Sequence, residues 1–379
     1  MRLLLFFIGY YLFLLYYSVN FLSFSIVEQQ SLEKFWPLKY ILDFSFFLFG
    51  KNDFALRLPE IIFSILSVIL FFLLSKKYLN KKDSEFATVI FSLIPGFIVS
   101  SLIVNKSIYL IFLTILFLFS FETLFSYILL VSFVFLDYSM IVLYLGIVFY
   151  SIYKRKTPLL ILSLILLTLN ANYFNYRIGG KPQGYFLDVI GTYILIFSPF
   201  VFIYFMYALY KGFFQKKNII FFITITAFLS SILFSFRQRI KIDDYAPFTL
   251  PYVINMIKIF LNSYRVRLPK FRKGYKLLFV ILLVTMIIFD AMLFLNKYTP
   301  ARNLSESFYF IKPLAKYLKK HQINYIKCNN KYLCKSLSFY GVNQGNNYYL
   351  IYSKRKSSVS IFHKNKKIFT IDVSKLYTL

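Results

Sequence analysis

Few side chains in this sequence could do chemistry, and most of them sit in short segments between long apolar runs. The segment 23–53 carries Glu28, Glu33, Asp43 and Asp53, and Glu28 follows the first apolar run directly. A carboxylate at a membrane surface can act as general base toward a lipid-borne substrate if it comes within hydrogen-bond reach of the proton. The bland alternative is that these acids are ordinary solvated loop residues. The segment 172–185 sets Arg177 and Lys181 about Gly179 and Gly180. That combination can hold a phosphate or form a polar turn with interfacial tyrosines. The segment 237–245, RQRIKIDDY, crowds Arg237, Arg239 and Lys241 against Asp243 and Asp244. Pairing with the two aspartates is the structural explanation; binding a lipid phosphate or pyrophosphate is the functional one.

Other chemistries find no footing. His321, His363, Cys328 and Cys334 are the only residues of their types, all near the C-terminus and without the further ligands of a zinc site. There is no Walker loop, dinucleotide fingerprint, nucleophile elbow or HExxH pair. The 379 residues are 59% hydrophobic, 22% aromatic and 16% charged, against roughly 45–50% apolar and about 25% charged in soluble domains. The chain reads as an all-α polytopic membrane protein. Its net charge of +29 would point to nucleic acid in a soluble protein. Here the basic residues cluster in turns between apolar runs, as membrane topology requires, and no nucleic-acid partner is expected.

The elements that must position these residues are membrane helices, since only a closed hydrogen-bond ladder survives in hydrocarbon. The first run, Leu3 to about Leu22, has Arg2 before it and no small-residue cleavage site after it. It reads as a retained anchor. Further candidate spans lie at about 54–75, 84–101, 107–121, 123–136, 138–153, 157–171, 186–210, 218–236, 246–263 and 276–295. Four basic clusters test them: Lys76/Lys77/Lys81/Lys82, Lys154/Arg155/Lys156, Lys211/Lys216/Lys217 and Arg265/Arg267/Lys270/Arg272/Lys273/Lys276. If all four face the cytoplasm, an even number of crossings separates each from the next. The stretch 107–153 must then hold three short helices. The solution has eleven helices, a cytoplasmic N-terminus and an outer C-terminus. It brings 23–53, 172–185, 237–245 and everything after about 296 to the outer side.

Within 23–53, the stretch LKYILDFSFFLF (38–49) suits a helix lying at the interface. Residues 1–296 thus form a multi-pass domain and 297–379 a basic soluble one. The latter has a helical pattern over 305–320, with Ser305 as cap and Pro313 interrupting it. Short β-type runs follow at 323–327, 348–352, 358–362 and 367–373, giving a small α/β or α+β domain. Its basic surface would face anionic headgroups or an anionic acceptor, and Cys328 and Cys334 could pair in an oxidising compartment.

These pieces resemble the GT-C membrane glycosyltransferases, in particular the protein O-mannosyltransferase and aminoarabinose (lipid A) transferase branch. The most specific piece is FALRLP at 54–59, within a stretch from 49 to 118 similar to the family's N-terminal half. WPLKYIL (36–42), GGKPQGYFLDVIGTYILIFSPF (179–200), FSFRQRIKIDDYAPFTLPYV (234–253) and KSLSFYG (335–341) follow in the family's order.

That resemblance implies transfer of a sugar from a polyprenyl-phosphate donor to an extracytoplasmic lipid, glycan or protein acceptor, by a multi-pass protein of the cell (inner) membrane among membrane lipids. It implies Glu28 as base and Lys34 and Arg57 near the donor phosphate. Arg177, Lys181, Arg237, Arg239, Lys241 and Tyr245 would contact that phosphate from other loops. A divalent metal is the one cofactor it admits, but the acid expected at the start of the fourth helix falls on Asn105–Lys106, and a lysine cannot ligate a metal where a carboxylate did. The Asp-Glu pair of the first loop is here Val27–Glu28, and the lysine before the Pro-Pro pair falls on Phe35, with Lys34 adjacent. Either Glu28 alone carries base catalysis without metal, or the chain is a non-catalytic relative that binds lipid-linked glycans or a partner enzyme. A transporter would need ionisable residues deep in the membrane, whereas Asp137, Asp188 and Asp290 fall near the outward ends.

Overall fold

A computed structural model describes residues 2–175, 184–296, 308–353, 358–363 and 366–372. Helices α1 (Arg2–Phe21), α2 (Ile26–Lys34) and α3 (Trp36–Phe49) lead to α4 (Asp53–Ser75). Next come α5 (Lys81–Ser92), α6 (Pro95–Leu102), α7 (Lys106–Ser120), α8 (Leu124–Phe133), α9 (Met140–Lys154) and α10 (Thr157–Tyr173). The apolar part is completed by α11 (Phe186–Phe197), α12 (Pro199–Phe213), α13 (Ile219–Ser235), α14 (Val253–Val266) and α15 (Pro269–Leu295). The C-terminal portion holds α16 (Ile311–Lys320), β1 (Tyr325–Cys328), α17 (Lys331–Phe339), β2 (Asn343–Ser353), β3 (Ser358–His363) and β4 (Lys366–Asp372). The expected class holds: a helical membrane protein with a small C-terminal domain of helices and sheet.

Among the described residues, Leu3–Phe21, α4 and α15 are each long and apolar enough to cross a bilayer. The pairs α5–α6, bent by 61°, and α11–α12, bent by 104°, reach that length only when each pair is taken together. The sequence reading treats 84–101 and 186–210 as unbroken. Pro95 and Pro199 open the second helix of each pair, because a proline cannot supply the backbone N–H that would continue the first. The three helices required between 107 and 153 are present as α7, α8 and α9. At about 1.5 Å per residue a 15-residue helix covers roughly 22 Å, less than an upright crossing. The helix expected over 246–263 begins only at Val253. Before it the backbone runs through three 3-10 turns between Ile242 and Tyr252, where Pro247 and Pro251 remove two N–H donors.

The chain forms two compact units. The first comprises Met1–Ile61, Leu102–Asn105 and Met292–Leu379; the second comprises Ile62–Ser101 and Lys106–Ala291.

In the first unit α3 begins with Pro37 in its opening turn. Leu38, Leu42 and Ser45 are buried, while Trp36, Tyr40, Phe44 and Phe47 form an exposed aromatic stripe. Such a helix suits the interfacial placement read from sequence. The C-terminal sheet has the order β1-β2-β3-β4, with β1 and β2 parallel and the other neighbours antiparallel. A parallel pair needs a crossover, and α17 supplies it. That helix is absent from the sequence reading, although Asn330 caps it, its side chain accepting the Tyr332 N–H at 2.9 Å. Pro313 falls in the first turn of α16, where no intrahelical N–H is required, so it does not interrupt the helix; Ser305 lies outside the described residues. Leu314 and Leu318 of α16 pack with Ile326, Leu337, Leu350 and Ile361 in one core. Cys328 and Cys334 are joined by a disulfide.

In the second unit α9 and α13 approach closely at Gly146, where an added Cβ would lie 2.7 Å from the Ile223 Cα. Backbone cannot yield as a flexible side-chain tip can, so Gly146→Ala should destabilise by about 1–3 kcal/mol. Gly191→Ala, where a Cβ meets nothing within 4 Å, should leave thermal unfolding in detergent unchanged.

Candidate functional site

Both units hold charged residues that segments far apart in sequence bring together. In the first unit, Ser25 caps α2 and Glu28 closes the capping box: the Glu28 N–H donates to Ser25 Oγ at 3.1 Å, and the Ser25 N–H to Glu28 Oε2 at 2.7 Å. Arg57, from the first turns of α4, donates to both oxygens of Glu28. The Val104 N–H donates to Glu28 Oε1 at 2.9 Å. Arg57 also donates to the carbonyls of Leu102 at 3.0 Å and Ser23 at 3.1 Å. Both side chains are buried, and the Arg57 Nε is buried without a partner. Four donors thus converge on Glu28, which leaves no oxygen turned toward solvent to take a proton from a substrate.

One turn before Arg57 stands an acid that does have a surface. Asp53 Oδ1 accepts from the Tyr340 hydroxyl at 2.8 Å, and Oδ2 lies 2.6 Å from Lys312 Nζ. The Phe24 N–H donates to the same Tyr340 oxygen at 2.8 Å, and Lys312 donates to the Val19 carbonyl at 2.9 Å. Burial, with Asp53 beside it, pushes the Tyr340 hydroxyl far above the ordinary phenol range, so it stays a proton donor. Tyr340→Phe strands the Phe24 N–H and one Asp53 oxygen, and should cost about 1–3 kcal/mol, read as a lower unfolding temperature in detergent. Elsewhere on α2, Lys335 hydrogen-bonds Glu33 and holds its carboxyl below the usual range. That pair is solvent-screened and contributes little.

In the second unit Lys106, the first residue of α7, sits between two carboxylates. Its Nζ lies 2.8 Å from Asp137 Oδ1 and 2.6 Å from Asp244 Oδ1, over the Tyr138 ring at 4.3 Å. The Tyr138 hydroxyl donates to Asp244 Oδ2 at 2.5 Å, and the Ser139 N–H to Asp137 Oδ1 at 2.9 Å. Asn170 ties the end of α10 to the Val134 and Asp137 carbonyls at 2.8 and 3.2 Å. Burial pushes the Asp244 carboxyl up, and the Lys106 ammonium pulls it back. The sequence reading offered Arg237, Arg239 and Lys241 as partners of the aspartates in their own loop. Asp244 turns instead to Lys106 and Tyr138.

This donor set does not fit a divalent metal. The ammonium already fills the space between the two carboxylates, and no group of three His, Cys, Asp or Glu side chains able to hold a metal ion occurs among the described residues.

The remaining candidates differ in exposure. Lys34 is exposed at the end of α2, six residues beyond the buried Glu28; Arg237, Arg239 and Lys241 are exposed, and Tyr245 is buried. Arg177 and Lys181 lie outside the described residues. The sequence reading missed Lys312 and Tyr340 as partners of Asp53. The only signal was the SFYG segment, which carried part of the family resemblance without a role for its tyrosine.

The helical membrane part carries a small C-terminal domain, and the protein is a multi-pass integral membrane protein. Residues 37–203 match the family described as dolichyl-phosphate-mannose-protein mannosyltransferase. The chain is similar to ArnT from Cupriavidus metallidurans in two crystal structures. The one bound to undecaprenyl phosphate aligns with TM-score 0.52, and the apo state with 0.55. In both, identity is 12%, and the match covers 89% of this chain and 74% of ArnT. The resemblance drawn from FALRLP and its companion segments is thereby borne out. Curated protein sequences give no match.

Proposed function

We propose that the protein transfers a sugar from a polyprenyl-phosphate-linked donor to an extracytoplasmic lipid, glycan or protein acceptor. The observation that carries this reading is the shared fold with ArnT, which has been crystallised with undecaprenyl phosphate. In the reaction an acceptor oxygen attacks the anomeric carbon and the carbon–oxygen bond to phosphate breaks. The polyprenyl phosphate leaves with the electron pair, and the acceptor proton passes to a carboxylate. Asp53 is that carboxylate in our reading, because it keeps a partly exposed face. Lys312 is the ammonium beside it, and Glu28 acts through Arg57 rather than as the base itself. Lys34, Arg177, Lys181, Arg237, Arg239, Lys241 and Tyr245 remain the candidate phosphate contacts, with no metal in the step. The protein would lie in the inner membrane with its N-terminus inside. Support for that orientation comes from the second unit, where Tyr78, Lys154 and Lys217 line one cavity and Arg265 pairs with Asp83 at 2.7 Å. All four basic clusters therefore meet at one end.

The test is release of polyprenyl phosphate from a radiolabelled lipid-linked sugar by the full-length protein in liposomes. Asp53→Asn should lower transfer at least about 100-fold with donor binding kept. A second reading, a non-catalytic protein that binds lipid-linked glycans, is favoured by one observation: Lys106 neutralises the carboxylates of the second cluster. Donor binding without any turnover would establish it in place of the first.

A further inference from the structure

At the end of the second unit where the basic clusters meet, a cavity of about 330 Å³ opens among α9, the α12–α13 turn and α14. Lys154, Lys216, Lys217 and Lys258 stand on its wall, and among the described residues none of the four pairs with a carboxylate. The one acid on the wall, Glu122, is already held by Lys156 at 2.5 Å. Lys217 is braced by the Tyr153 and Phe213 rings at 5.6 and 5.4 Å. On the same wall, Asn218 and Asn255 exchange amide hydrogen bonds of 3.0 Å in both directions. Each amide then keeps one N–H to spare, so the wall is rich in donors and poor in acceptors.

Membrane topology accounts for lysines on this side of the bilayer, but not for four of them around one concave space. Lys154, Lys216 and Lys258 are exposed while Lys217 is half-buried, and all four line the same space. Held together without counter-charge they repel, and an anion relieves that repulsion. The volume sits at the lower end of the range for small-molecule sites, about 300–1,000 Å³, with room for a phosphate and part of its ester group. The cluster around Lys106 is elsewhere: α9 runs from beside Asp137 to Lys154, about 22 Å at 1.5 Å per residue.

We propose that this cavity is a binding site for a phosphate-bearing anion, separate from the Lys106 cluster of the same unit. Lys154, Lys216, Lys217 and Lys258 neutralise the phosphate, and the Asn218–Asn255 pair offers it N–H donors. The ligand is a phospholipid headgroup or a soluble phosphate, and the two arms of one experiment tell them apart. The purified full-length protein is titrated with inorganic phosphate and pyrophosphate in detergent, with thermal unfolding as readout. In parallel it is placed in nanodiscs of phosphatidylcholine with or without phosphatidylglycerol, and retained lipid is read by native mass spectrometry. Stabilisation by the soluble anions assigns a soluble ligand; selective retention of phosphatidylglycerol assigns a headgroup. In either arm Lys216→Gln/Lys217→Gln/Lys258→Gln should weaken binding about tenfold or more, and Lys258→Gln alone, at an exposed side chain, should weaken it measurably. Removing as many charges at the exposed Lys270, Lys273 and Lys276 should leave binding intact. No response in either arm, unchanged binding by the triple variant, or equal loss in the control variant would overturn the proposal.

Discussion

Glu28→Gln should lower the stability of the protein by about 3–5 kcal/mol, the range for removing one partner of a buried ion pair. The size follows from what surrounds the carboxylate. Its neighbours are the Arg57 guanidinium and the N–H groups of Ser25 and Val104, and all are donors. Glutamine keeps one acceptor oxygen and turns an NH₂ toward donors, while Arg57 is left buried with its charge unbalanced. The pair also joins three distant stretches: the turn after α1, the start of α4, and Leu102–Val104. Thermal unfolding and hydrogen exchange at residues 23–28 and 102–104 should both report the loss. Glu28→Met combined with Arg57→Met should recover part of it, since replacing a buried ion pair with apolar side chains is often neutral or stabilising. The double variant also separates the chemistry. If it folds and still transfers sugar, Glu28 is a positioning residue. If it folds and is inactive while Asp53→Asn transfers normally, the base is Glu28. An unchanged unfolding temperature for Glu28→Gln alone would contradict the packing described here.

The pattern of what the sequence revealed has a physical cause. Apolar runs, basic turns and proline positions are local signals, and they placed α1, α3, α4, α15 and the four C-terminal strands. Charge parity is a long-range constraint; it asked for three short crossings, and three short apolar helices, α7, α8 and α9, lie in that stretch. Pro95 and Pro199 stood in plain view inside two runs, yet hydropathy outweighed them. The segment CNNKYLC was read only for its two cysteines, and the Asn330 cap that starts α17 passed unused. The charged clusters were legible only as composition. Glu28 meets Val104 across 76 residues and Tyr340 meets Asp53 across 287, and no periodicity encodes such meetings. Lys106 had been noticed as a departure from an acidic pattern. Its partners Asp137 and Asp244 were separately noted as acids near helix ends. What folding adds is that the departure and the acids are one site.

Replacing Lys106 should convert that site into something either proton-dependent or metal-dependent. In Lys106→Met, Asp137 and Asp244 remain largely buried, with side-chain exposures of 5% and 8%, and lose their cation. Uncompensated, that costs about 3–5 kcal/mol. Burial already pushes the Asp244 carboxyl up, with Lys106 opposing it. Without the lysine nothing offsets that burial, so Asp244 should keep its proton to higher pH. The sign follows from linkage. A carboxyl whose pKa is raised in the folded state binds its proton more tightly there than in the unfolded chain, so its stabilisation is present at low pH and is lost as pH rises through the folded value. The variant should therefore lose stability relative to the wild type on going from acidic to neutral pH. Lys106→Glu goes further by placing a third carboxylate where the ammonium stood, and three oxygen donors of that kind suit a hard divalent cation. Mn²⁺ should raise its unfolding temperature and a chelator should reverse the gain, with neither affecting the wild type. If Mn²⁺ stabilises the wild type and Lys106→Met alike, the ammonium does not occupy the cation position, and the donor-set argument against a metal fails with it.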